Sequence, residues 1–100
     1  MIRGTTPTFK LKIDPSVDLT EAENVYVSFS QQNVKLVKTG EDISVTAHEV
    51  DVYLSQEETL KFNVGNLGIQ LNWTYEGGQR ACTNIVSVVV GANLIGKVLA

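Results

Sequence analysis

Few side chains in this sequence are equipped for chemistry, and their spacing argues against each in turn. His48 stands between Ala47 and Glu49. As a general base it would need a nucleophile within about 3 Å and a carboxylate to orient its ring, and in an extended chain Glu49 points to the opposite face. The chain has no Gly-x-Ser-x-Gly elbow, and nothing in the sequence brings Cys82 to the imidazole. His48 therefore reads as an exposed turn residue. Cys82, flanked by Ala81 and Thr83, reads as a small, half-buried hydrophobe inside a strand; as the single cysteine it offers neither a disulfide nor a thiolate metal cluster. The acidic pairs Glu41-Asp42 and Glu57-Glu58 lack the ligand spacing of a calcium loop, and glycoside hydrolysis needs a cleft that a chain this short rarely builds. Turn solubility and helix capping account for both pairs. No catalytic, cofactor-binding or metal-binding residue is expected, and no cofactor.

The aromatic residues carry the remaining possibility. Trp73 and Tyr75 fall in phase with Ile69 and Leu71, which places Trp73 in a core; Tyr26 and Tyr53 fall out of phase with the valines around them. Exposed aromatics can stack on sugar rings, so Tyr26, Tyr53 or Trp73 would serve a carbohydrate-binding module. Tyr26 and Tyr53 also suit a cross-strand pair or a subunit interface. Asn72-Trp73-Thr74 matches a glycosylation sequon, without meaning in the absence of a secretion signal.

The elements that must position these residues are strands. Phe9-Lys10-Leu11-Lys12-Ile13, Val25-Tyr26-Val27-Ser28-Phe29, Val50-Asp51-Val52-Tyr53-Leu54 and Ile69-Gln70-Leu71-Asn72-Trp73 alternate apolar and polar residues, the period of a half-buried strand. Further strands are expected over Val34 to Lys38 and Ile43 to Thr46, the first joined to Asn24 to Ser30 by a hairpin at Gln31-Gln32-Asn33. Asp18 to Glu23 suits one short helical turn. Ser55-Gln56-Glu57-Glu58 is a capping box, which sets a second helical turn over Gln56 to Leu60. Gly65-Asn66-Leu67-Gly68 reads as a lead-in to Ile69 to Tyr75. Gly77-Gly78 then marks a hairpin into a long antiparallel partner, Arg80 to Val90. In that partner Ala81, Thr83 and Ile85 share one face and Val86, Val88 and Val90 the other, a phase change that predicts a bulge or a strand buried on both sides. About eight short strands with frequent turn signals describe an all-β fold, a single small antiparallel β-sandwich of immunoglobulin-like size spanning residues 1–100. An extended arm over Met1 to Thr8 and a tail over Gly91 to Ala100 lie outside the regular alternation.

Bulk composition narrows the partners. At 100 residues the chain is one domain, large enough to fold without staples, and 43% hydrophobic against 19% charged residues exclude disorder along most of it. The net charge of −3 provides no basic field for a phosphate backbone, so nucleic acid is not an expected partner. The most apolar stretch, Ile85 to Leu99, is interrupted by Ser87, Gly91, Asn93, Gly96 and Lys97 and is too short to span a bilayer, so no membrane association is expected. With no signal-peptide pattern at the amino terminus, a cytosolic product is expected.

The opening Met1 to Thr8, the segment Leu54-Ser55-Gln56-Glu57-Glu58-Thr59-Leu60-Lys61-Phe62 and the strand Ile69 to Trp73 together resemble a group of short uncharacterised or virion-structural proteins encoded in phages and prophages of gut Firmicutes. The resemblance covers nearly the whole chain. It implies a non-enzymatic part of the tail, baseplate or head surface, made in the host bacterial cytoplasm and then carried in the virion, and partnered by copies of itself or by other virion proteins. It supplies no catalytic residues. Sandwich edges and strand-compatible ends are natural docking surfaces for symmetric copies, so Thr5, Thr6, Pro7, Tyr26, Tyr53, Leu94 and Ile95 are the expected interface residues. The alternative is a small carbohydrate- or ligand-binding β-sandwich module, with a glycan as partner.

Overall fold

The alternating segments become eight β-strands in two antiparallel sheets, as seen in a computed structural model that describes residues 1–100. The smaller sheet contains β1 (Thr8–Lys12), β4 (Ile43–Val45) and β5 (Glu49–Tyr53), with β5 in the middle. The larger contains β2 (Asn24–Gln31), β3 (Val34–Thr39), β6 (Gly65–Thr74), β7 (Arg80–Cys82) and β8 (Val86–Val90). Here β3, β2 and β6 run side by side, and β7 and β8 both pair with the far edge of β6.

Every second side chain of the central strands enters the space between the sheets, which makes the chain an all-β sandwich. Val25, Val27 and Phe29 of β2 meet Leu67, Ile69, Leu71 and Trp73 of β6 on one wall, and Val50 and Val52 of β5 supply the other; all are buried. Each such side chain contributes about 1.5–3 kcal/mol by leaving water. Phe9 of β1 reaches across to Phe29 with ring centroids 5.7 Å apart, a separation typical of tilted aromatic pairs. Trp73 satisfies its indole N–H by donating to the Tyr75 hydroxyl at 3.0 Å.

The turns follow the local chemistry. Gln32 and Asn33 close the β2–β3 hairpin, with Gln32 in the left-handed region at φ 42°. Gly77 and Gly78 take positive φ in the β6–β7 turn, as paired glycines allow. A 3-10 turn at Leu19–Glu21, capped by Asp18, drops Leu19 into the core. The capping box is present as both of its bonds: Ser55 Oγ accepts from the Glu58 amide and Glu58 accepts from the Ser55 amide, opening α1 (Gln56–Leu60). Phe62, just after it, is fully buried.

The expected long partner strand is two strands joined by a bulge. Cys82 lies opposite Asn72 and Val86 opposite Ile69, so three residues, Thr83 to Ile85, face only two on β6. Thr83 fills the break, its amide donating to the Leu71 carbonyl at 3.0 Å while its hydroxyl accepts from the Leu71 amide at 3.1 Å. The extra residue resets the phase, so that Ala81 before it and Val88 and Val90 after it all face the core.

Gly65-Asn66-Leu67-Gly68 is not a lead-in; it is the first part of β6 and pairs with Ser87–Val90. Glycine is used at position 68 for close approach rather than for a turn. A β-carbon there would stand 3.0 Å from the Ile85 side chain that the bulge throws across it.

Candidate functional site

The groups singled out for chemistry stay apart. His48 is exposed and its Nδ1 lies 2.7 Å from the Val17 carbonyl; Asp18, beside Val17, is engaged by Thr20, whose hydroxyl and amide hold that carboxyl below its ordinary value. Cys82 is exposed on the outward face of the larger sheet, not half-buried as its neighbours suggested, because β7 sets Ala81 opposite the buried Trp73 and Cys82 opposite the outward-facing Asn72. No three His, Cys, Asp or Glu side chains converge as a metal-ligand group, and no helix is long and apolar enough to cross a membrane. Trp73 is 4% exposed, which withdraws it from any ligand platform.

Tyr26 and Tyr53 belong to different sheets. Tyr26, half-buried, lies between Thr39 and Asn72 on the outer face of the larger sheet; Tyr53, 52% exposed, lies beside Thr8 on the outer face of the smaller. They form neither a cross-strand pair nor one stacking surface.

The amino-terminal arm is fastened to its own chain. Met1 to Arg3 run parallel to the end of β8: the Gly91 amide donates to the Met1 carbonyl at 2.7 Å and the Arg3 amide donates to the Gly91 carbonyl at 3.1 Å. Arg3 reaches back over α1 and donates to the Phe62 and Leu60 carbonyls at 2.6 and 2.9 Å, capping orphan acceptors at the helix end. Thr59, fully buried, accepts from the Gly4 amide and donates to the Thr5 carbonyl. The Leu54 amide takes the Pro7 carbonyl. Thr5 and Thr6 remain exposed and Pro7 is half-buried.

Beyond Gly91 the carboxyl-terminal tail is hydrogen-bonded to the rest of the chain at two places only. Asn93 donates to the Arg3 carbonyl, and the Gln56 amide group brackets the backbone of Leu99. Between them the apolar side chains face solvent: Leu94 is fully exposed, Ile95 and Val98 about half. Val86 and Val89 of β8 are also exposed, at 58% and 66%. Beside them β1 and the part of β8 before the Met1 to Arg3 pairing leave the sandwich ajar, over a crevice of about 230 Å³ whose walls include Phe9, Leu11, Leu71, Val86 and Val88. Sequence reading picked out Leu94 and Ile95 but missed Val86 and Val89, whose side of the sheet depends on the bulge register.

In comparisons with known proteins, no family model, no curated protein and no solved structure matches the chain. What the geometry defines is a class: a small all-β sandwich whose unusual features lie on its edges and outer faces rather than in a cleft.

Proposed function

We propose that this chain is a non-enzymatic virion structural protein of a phage or prophage, acting by assembly with copies of itself or with other virion proteins. It is made in the host cytoplasm and ends in the particle. The observation that supports this reading is the set of exposed apolar side chains between Ile85 and Leu99, on the edge strand β8, whose end alone is covered by Met1 to Arg3, and on a loosely held tail. Soluble monomers seldom leave a large apolar patch uncovered, and such patches mark protein interfaces. A free edge adds main-chain hydrogen bonds to whatever docks there. Sedimentation velocity over a concentration series tests the proposal: self-association of the full chain is expected, or its co-sedimentation with a neighbouring virion protein. A chain that stays monomeric throughout and binds none of the virion proteins encoded beside it would refute the proposal.

A further inference from the structure

The outer face of the larger sheet is a second surface, which meets the apolar run only at Ile85, and we propose that it binds an acidic oligosaccharide. Its lining comes from alternate residues of β3, β2, β6 and β7, fixed in register by Ser30 opposite Lys35, Ser28 opposite Gln70, and Thr74 opposite Arg80. Two adjoining depressions of about 250 and 330 Å³ share Ser28, Lys35, Asn72 and Arg80 as walls, so the face is one continuous shallow trough. Lys35 rises from the strand on one side and Arg80 from the strand on the other, three strand spacings away, roughly 14 Å across the sheet.

The charge on this face is unbalanced. The ion pairs of the molecule engage Lys10 and Lys38, not Lys35 or Arg80. No Asp or Glu lines either depression. On the opposite sheet the contrast is direct, since Lys10 there faces Glu49 and Asp51 at 3.9 and 3.6 Å. In a chain of net charge −3, two unpaired cations across a carboxylate-free trough favour a ligand carrying spaced negative charges.

The groups between the cations say what kind of ligand. Ser28, Ser30 and Thr74 offer hydroxyls that both donate and accept, and Gln70, whose Nε2 donates to the Thr83 carbonyl at 2.8 Å, offers its amide oxygen, a mixture that suits sugar hydroxyls. Arg80 donates through Nε and Nη2 to Asn72 Oδ1 at 3.2 and 2.9 Å, which fixes the guanidinium against the sheet, while the Asn72 Nδ2 makes no hydrogen bond within the chain. Tyr26 at one end and Ile85 at the other give apolar walls for the C–H faces of sugar rings. A peptide that binds by adding a strand needs a free strand edge, and the middle of a sheet has none to give.

Isothermal titration with a tetramer of galacturonic acid, against neutral cellotetraose and a tetraglutamate peptide, decides the matter. The acid tetramer is expected to bind, with affinity falling as salt rises and dropping about tenfold in Lys35→Gln/Arg80→Gln, a loss in keeping with two exposed ion contacts. Both positions are exposed, so circular dichroism of the variant is expected to match the parent. Equal affinity for tetraglutamate, undiminished affinity in the double variant, or no binding of the acid tetramer at millimolar concentration would each overturn the assignment.

Discussion

The two ends of this chain look alike as sequence and are held in opposite ways. Both are strand-compatible and outside the regular alternation, yet Met1 to Pro7 is tied down by backbone pairing to Gly91, by the Arg3 guanidinium and by the Thr59 hydroxyl, whereas Leu94 to Leu99 exposes its apolar side chains and rests on the amide of Gln56. The difference teaches that a terminal segment becomes part of the fold when buried polar partners await it. The arm finds a buried hydroxyl and the carbonyls at the end of α1; the tail beyond Gly91 finds one carbonyl of the arm and one surface amide. On the proposed function, the arm belongs to the domain and the tail to its neighbours.

Substitutions at the arm's anchors are expected to cost stability, and substitutions in the tail to leave it unchanged. The largest effect is expected from Thr59→Val, which keeps the shape but leaves the Gly4 amide and the Thr5 carbonyl unpaired; a loss of roughly 2–4 kcal/mol in urea unfolding follows from two orphaned groups. Lys38→Met comes next. Lys38 and Glu58 form a largely shielded ion pair at 2.7 Å, with side chains 13% and 19% exposed, and its loss is expected to cost about 1.5–3 kcal/mol.

That pair also sets a pH dependence. Burial alone would raise the Glu58 carboxyl, but hydrogen bonds from the Lys38 ammonium and the Ser55 amide outweigh it and hold the group below its ordinary value of 4.5. A carboxyl depressed in the folded state binds its proton more readily unfolded, so its contribution is complete above the unfolded value and fades as pH falls through the folded one. Unfolding free energy measured from pH 6 downward is expected to decline in that acid window, with a shallower slope in Lys38→Met. An identical slope in the two proteins would show that the pair is not its source.

Arg3→Ala is expected to cost less, about 1–2 kcal/mol, through two hydrogen bonds at a partly exposed helix end. Smallest of all is the tail: Leu94→Ser/Val98→Ser is expected to stay within about 0.5 kcal/mol of the parent while reducing self-association. A tail variant that unfolds more easily than the Arg3 variant would invert the comparison.

Much of this was legible in the sequence because it is local. Period-two alternation gave the strands, Ser55 with Glu58 gave the start of α1, and the phase change at Ile85-Val86 announced the bulge. What stayed illegible depends on residues far apart. Gly65 and Gly68 looked like turn residues, since only the pairing with β8 shows that Gly68 makes room for Ile85. The exposure of Cys82 rests on the register of β7 against β6. Tyr26 and Tyr53 carry no local mark of belonging to different sheets, and the arm's anchorage by Thr59 joins residues 54 and 55 positions apart. The polar trough was missed for the same reason, because Lys35 and Arg80 share a face only once four strands are in register.

Hydrogen exchange of the intact protein at low and high concentration tests the assembly account most directly. The expected result is protection gained with concentration at the amides of Val86–Val90 and Leu94–Leu99, with the arm from Ile2 to Thr6 unchanged. Exchange that is independent of concentration, or that slows at the arm instead, would contradict it.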